Sequence, residues 1–140
     1  MPATQTDGAT PQLVVVVEDE AQIALALQTL LSFKGIASSL HESAESLLSA
    51  LSLRDGRLWL TSGDGTSAMV KSVLLDMNLP GMNGADLVLE LRRMQPDLLM
   101  VMMTAAQEEQ LKERAPDLQG VTLLSKPFSL ESLERALLVA

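Results

Sequence analysis

The stretch Leu13-Val14-Val15-Val16-Val17-Glu18-Asp19-Glu20 decides the architecture. Its first five residues are apolar, mostly β-branched and without alternation. That is how a strand buried on both faces of a parallel sheet reads. The run stops abruptly at three acids, which therefore stand at the C-terminal end of a buried strand.

The same rhythm continues along the chain. Ala21 to Lys34 carries Ile23, Leu27, Leu30 and Leu31 at three- and four-residue steps, which predicts a helix with Gly35 as its C-cap. Ile36 to Leu40 is short and β-compatible. Ser43 is the N-cap of a helix predicted to run to Leu53, with Leu47, Leu48 and Leu51 inward. Val73-Leu74-Leu75 predicts a buried strand ending at Asp76. Ala85 to Met94 reads as a helix stopped by Pro96. Leu98 to Met103 predicts a strand ending at Thr104, and Glu108 to Arg114 a short polar helix. Val121 to Leu124 predicts the last strand, ending at Ser125-Lys126-Pro127. Ser129 opens a final helix with Leu130, Leu133, Leu137 and Leu138 inside. Strands alternating with helices indicate an α/β fold: an open parallel sheet with helices on both faces. Right-handed crossovers place every strand's C-terminal end on one edge, and ligands bind at that edge.

Two segments lie outside the rhythm. Residues 1–12 are rich in Thr, Ala, Pro and Gly and read as a disordered tail ahead of a single domain at 13–140. Residues 54–71 form an insertion far longer than a connection between helix and strand requires. Within it, Arg57-Leu58-Trp59-Leu60 and Ser67-Ala68-Met69-Val70 flank Ser62-Gly63-Asp64-Gly65, the pattern of a small β-hairpin. Trp59, the only tryptophan, is a hairpin anchor or a partner contact.

Composition bounds the function. The 140 residues are 47% apolar, enough for one packed core. The run Leu13–Val17 is too short to span a bilayer, and the first twelve residues have neither the positive charge nor the apolar stretch of a secretory signal. A soluble cytoplasmic protein with no membrane partner is expected. The chain has no cysteine, which excludes disulfides, thiolate catalysis and cysteine-ligated zinc. A net charge of −8 argues against direct binding of nucleic acid through its phosphates. His41, the only histidine, reads as a surface residue.

The strand ends collect the chemistry. They deliver Glu18 and Asp19, Asp76, Thr104 and Lys126 to one edge. Three converging carboxylates raise one another's pKa and oppose folding. A hard divalent cation resolves the conflict, and Mg²⁺ favours one or two carboxylates plus a phosphate. Asp76 can then act as a nucleophile toward phosphorus, forming an acyl phosphate. Lys126 suits a phosphate oxygen as a point charge, and the Thr104 hydroxyl can donate to another. Met77-Asn78-Leu79-Pro80-Gly81-Met82-Asn83-Gly84 is a turn by composition, and the backbone carbonyl of Asn78 is the natural further metal ligand. Lys126-Pro127 is a plausible cis peptide.

At these residues the chain resembles the receiver domains of two-component response regulators. The resemblance covers residues 13 to 139. It rests on Val16-Val17-Glu18-Asp19-Glu20, Leu74-Leu75-Asp76-Met77-Asn78-Leu79-Pro80-Gly81-Met82-Asn83-Gly84, Met103-Thr104-Ala105 and Lys126-Pro127-Phe128. It implies a flavodoxin-like, doubly wound, five-stranded sheet in the order 2-1-3-4-5. It implies Mg²⁺ near Glu18, Asp19, Asp76 and the Asn78 carbonyl, and Asp76 as acceptor of a phosphoryl group from a sensor histidine kinase or phosphotransfer protein. Thr104 is then drawn inward and the partner-binding surface changes. The module is not an enzyme beyond catalysing its own phosphorylation and dephosphorylation. Its output falls to a downstream protein target or to a C-terminal output domain absent from this chain.

Three departures from the family pattern stand out. Glu18 occupies a position where many members have Asp. Leu123 occupies the switch position, usually Tyr or Phe. The 54–71 insertion is additional. Ala105 and Ala106 leave the phosphoryl group open to partners or water. Two alternatives follow: a pseudo-receiver that is a constitutive interaction module, and a phosphohydrolase of the haloacid dehalogenase type with an Asp nucleophile. The latter needs an acid/base Asp two residues after the nucleophile, where Asn78 stands.

Overall fold

The β-branched run that opens the sequence is buried as its composition requires: Val15, Val16 and Val17 are wholly inaccessible. The computed structural model describes residues 12–105, 118 and 120–138. The run lies in β1 (Gln12–Val17), the inner strand between β2 (Ser38–His41) and β5 (Ser67–Asp76), both parallel to it. Beyond β5 come β6 (Leu99–Thr104) and β7 (Thr122–Ser125), again parallel. These five strands run β2-β1-β5-β6-β7, the doubly wound order 2-1-3-4-5 expected of the sequence.

Odd and even positions of β1 face opposite cores, as the two-residue period of a strand demands. Val15 and Val17 join Val73 and Leu75 of β5 in the larger core, under α2 (Ala44–Ala50) and α3 (Gly84–Met94). Val14 and Val16 join Leu74, Val101 and Met103 in the other, under α1 (Ala21–Phe33) and α4 (Leu130–Leu138). Gly35, Ser43 and Ser129 stand at helix ends as the sequence suggested, and Asn83 is a further cap. Gly35, at φ 77°, closes α1: its N–H donates to Ser32 O and that of Ile36 to Leu31 O. Ser43 Oγ and Asn83 Oδ1 accept the first-turn N–H groups of Ser46 and Asp86. Ser129 Oγ accepts from Ser132 N at the start of α4.

The region from Ser43 to Lys71 corrects the sequence reading. The helix predicted to reach Leu53 ends at Ala50, and Leu51–Arg54 is a strand, β3. It turns through Asp55 (φ 52°) and Gly56 (φ 76°) into an antiparallel β4 (Arg57–Thr61). β4 in turn pairs antiparallel with Ser67–Met69 of β5, which is ten residues long rather than the three predicted. The hairpin inferred around Ser62-Gly63-Asp64-Gly65 is therefore present, and the five parallel strands are extended to a seven-stranded mixed sheet.

β4 and β6 share one edge of β5. β4 takes residues 67–69 and β6 takes residues 72–76. Where one strand gives way to the other, the Leu58 N–H donates to Gln95 Oε1 at 2.8 Å, and Gln95 is only 3% exposed. A side-chain amide thus completes the ladder at the exchange point. The strand forecasts at 36–40, 98–103 and 121–124 shift by one or two residues, and β1 begins at Gln12. The tail over residues 1–11, the helix read at Glu108–Arg114 and Ala106 lie outside the described residues.

Candidate functional site

Four of the five parallel strands, β1, β5, β6 and β7, leave a candidate site residue at the same edge. Glu18 follows β1 directly and continues its ladder, its N–H donating to His41 O at 3.0 Å. That tether, with burial under the sheet edge, leaves Glu18 2% exposed, while Asp19 beside it is exposed. Asp76 ends β5 at 4% exposure and Thr104 ends β6 at 1%. Lys126 follows β7, its N–H donating to Thr104 O at 2.8 Å, and its peptide bond to Pro127 is cis, as the sequence suggested.

The side chains converge. Glu18, Asp19 and Asp76 each bring a carboxylate oxygen within 4.8 Å of the other two. Lys126 Nζ lies 3.1 Å from Asp76 Oδ2 and 3.8 Å from Glu18 Oε1. Asp76 Oδ1 accepts the Asn78 N–H at 3.0 Å, which fixes the start of the loop that follows. Burial pushes the Glu18 carboxyl up to about 7, with the negative Asp76 adding to the rise and the N–H of Glu20 opposing it. Glu18 Oε2 accepts that Glu20 N–H at 3.2 Å. Glu18 Oε1 is fully buried with no hydrogen-bond partner.

That orphaned oxygen tests the site for a metal. A buried carboxylate oxygen without a donor is costly. Three carboxylates against one ammonium leave two negative charges uncompensated. An oxygen-seeking divalent ion supplies what both features lack, so the donor set fits Mg²⁺. A groove of about 530 Å³ opens beside Glu18 and Asp19, lined in part by Ala21, Leu25, Leu40 and His41. It gives the cluster access to solvent.

Thr104 reaches the site edge, but its hydroxyl donates to Met77 Sδ at 3.3 Å. Leu123, partly buried, packs against the larger core. Two contacts at the site escaped the sequence reading. Gly84 opens α3 against the Asp76 backbone, where a Cβ would sit 2.6 Å from Asp76 O and 2.8 Å from Met77 Cα. Its signal was visible in Asn83-Gly84, a cap followed by a residue of no bulk. Glu45 of α2 accepts the Met82 N–H at 2.9 Å. The two are 37 positions apart, and no local pattern announces the contact.

Comparisons with known proteins point to one family and one fold. The family model described as the response regulator receiver domain matches residues 14–138. The transcriptional regulatory protein PdtaR of Mycobacterium tuberculosis is 29% identical over 148 residues, covering 99% of this chain and 61% of its own length. Nodulation protein W of Bradyrhizobium diazoefficiens is 30% identical over 135 residues, covering 96% of this chain and 53% of its own. This chain thus spans little more than half of these relatives. Among solved structures, the non-phosphorylated HemR receiver domain of Leptospira biflexa superposes with a TM-score of 0.71 at 21% identity, covering 94% of this chain and 97% of that one. The Vibrio cholerae chemotaxis protein CheY4 gives 0.69 at 20%, covering 92% and 97%. At such identities these structures speak for the fold. Among the described residues, no helix is long and apolar enough to cross a membrane.

Proposed function

This chain belongs to the response regulator receiver domain family, and from that premise we propose that it is the phosphoacceptor module of a two-component phosphorelay, with Asp76 as acceptor. The donor is a phosphohistidine on a sensor histidine kinase or phosphotransfer protein. An Asp76 carboxylate oxygen attacks phosphorus, an O–P bond forms, the N–P bond breaks, and the imidazole leaves with its electron pair and takes up a proton. The observation that carries this reading is the buried Asp76 carboxylate, held at once by the Asn78 N–H and the Lys126 ammonium within the acidic cluster.

Each neighbour has a role the chemistry needs. Glu18, Asp19, Asp76 and the Asn78 backbone carbonyl would hold Mg²⁺. When bound, the ion supplies charge neutralisation and orientation for the phosphoryl oxygens. Lys126, already 3.1 Å from Asp76 Oδ2, is placed to follow an oxygen of the transferred group. Thr104 must exchange its bond to Met77 Sδ, a weak thioether acceptor, for one to a phosphoryl oxygen. Its movement at the end of β6 is the means by which phosphorylation would reach the binding surface. Ala105, exposed beside it, is too small to shield the aspartyl phosphate. Cytoplasmic location, and output through either a downstream protein target or a C-terminal output domain, complete the proposal.

The phosphohydrolase reading loses its acid/base group: Asn78 stands where it needs a carboxylate and spends its N–H on Asp76. The test is incubation with an acyl phosphate donor and Mg²⁺. Mass spectrometry is expected to show one added phosphoryl group on the wild type and none on Asp76→Asn. An unmodified wild type, or equal modification of both, sinks the proposal. Solution spectra unchanged by a beryllofluoride mimic would select the pseudo-receiver instead.

A further inference from the structure

The loop from Met77 to Asn83 is closed at its base. The Met77 N–H donates to Met103 O at 2.9 Å and the Gly84 N–H to Met77 O at 3.0 Å. Leu79, 7% exposed, plugs its middle into the larger core. The tip, Pro80 and Gly81, is exposed. There the loop meets a different element. Glu45, in the first turn of α2, accepts the Met82 N–H through Oε2 at 2.9 Å. The same oxygen lies against Gly81, where a Cβ would come within 2.7 Å of it. Gly81 has φ 70°, so the backbone itself demands glycine there.

Glu45 stands apart from Glu18, Asp19 and Asp76, which form the acidic cluster without it. Its carboxylate is turned toward the loop. The Met82 N–H holds its carboxyl below the usual carboxylate range, so the acceptor is charged at neutral pH and the bond is charge-assisted. Nothing in the chemistry at Asp76 requires an acid at this place. What the contact does is pin the far side of the loop whose near side presents Asn78.

We infer that Glu45 is a positioning residue for phosphoryl transfer, holding the Met77–Asn83 loop from α2 so that the Asn78 carbonyl stays aimed at the metal site; this rests on the phosphoacceptor reading above. Preorganised ligands bind a metal without an ordering cost, and a loop released at its tip must be ordered at each binding event. Because α2 runs without a break into β3, the tether also joins the loop to the β3–β4 ribbon.

The experiment compares Glu45→Ala and Glu45→Gln with the wild type. Three quantities are read: Mg²⁺ affinity by titration, the rate of phosphorylation by an acyl phosphate, and hydrogen exchange at the Met82 amide. Glu45→Ala removes the acceptor, and we expect affinity and rate to fall about fivefold, the weight of one hydrogen bond, with faster Met82 exchange. Glu45→Gln keeps an oxygen in the same place and is expected to restore all three to within about twofold, since only the charge assistance is lost. An unchanged Glu45→Ala overturns the inference. So does a Glu45→Gln as impaired as Glu45→Ala, which would make the negative charge, not the hydrogen bond, the active feature. A wild type that takes no phosphoryl group overturns the phosphoacceptor reading instead, while Met82 exchange and Mg²⁺ affinity still decide the tether.

Discussion

At the scale of single residues, Glu18 is where the fold stores its cost. The sequence placed it at a strand end beside two other acids, and repulsion among them was legible from that alone. What it did not convey is the depth of burial: Glu18 is 2% exposed while its neighbour Asp19 is exposed. The difference arises because the Glu18 N–H extends the ladder onto His41, a contact made across the sheet. The consequence is a pH dependence of known sign. The Glu18 carboxyl is pushed up to about 7 in the fold, mainly by burial, from an ordinary value of 4.5. The native state therefore binds a proton that the unfolded chain has released, and stability falls as pH rises between those values. Below 4.5 both states are protonated, and above about 7 the full cost of a buried charge is present. Without metal, we expect a loss of up to about 3 kcal/mol over this window, the opposing charge of Lys126 being already contained in the shift. Thermal melts of the metal-free protein at a series of pH values check this. Glu18→Gln should flatten the profile and be the more stable protein near pH 8.

At the scale of elements, the parallel strands were legible and the ribbon was only half so. Buried runs such as Leu13–Val17 have no other comfortable home, and each ended at an acid, a hydroxyl or a lysine. The misread helix end is instructive. Leu47, Leu48 and Leu51 lie at helical spacing, yet Leu51-Ser52-Leu53 also alternates, and Asp55-Gly56 is a strong signal for a two-residue hairpin turn. Pairing decides between them: Leu51 and Leu53 lie opposite Leu60 and Leu58 across β3 and β4. The ribbon is no appendage, for Leu58 is wholly buried and Leu60 3% exposed in the larger core. We expect Leu58→Ala to cost about 2–4 kcal/mol in chemical denaturation, as for other large-to-small core changes. Gln95→Ala leaves the buried Leu58 N–H unpaired and should cost about 1–3 kcal/mol. Leu53, at 51% exposure on the ribbon's rim, should tolerate Ser within about 0.5 kcal/mol. If Leu58→Ala and Leu53→Ser behave alike, the ribbon is peripheral and the shared core does not exist in solution.

At the scale of the whole molecule, the site and the fold are linked through charge. The edge gathers three carboxylates around one lysine in a chain of net charge −8, so folding without a cation works against repulsion there. A ligand that binds only the native state stabilises it in proportion to its excess over Kd, by about 2.7 kcal/mol at a hundredfold excess. Mg²⁺ should therefore raise the melting temperature by several degrees. The gain must depend on pH, because a protonated Glu18 is a poor ligand: protons compete with the ion below about 7. We expect the Mg²⁺-induced rise to be large near pH 8 and to shrink steadily toward pH 5. The metal-free protein thus loses stability as Glu18 ionises, while the Mg²⁺-bound protein, in which Glu18 is ionised throughout, stays nearly level over the same window. Asp76→Asn should lose most of the Mg²⁺ effect at every pH, since it removes a carboxylate from the cluster and leaves Lys126 with only Glu18. Calorimetric scans of both proteins, with and without Mg²⁺ at the two pH extremes, decide the matter. A Mg²⁺-induced rise in melting temperature that is equal at both pH values would mean that Glu18 is no part of the metal site. An equal rise in Asp76→Asn would place the ion elsewhere on this acidic surface.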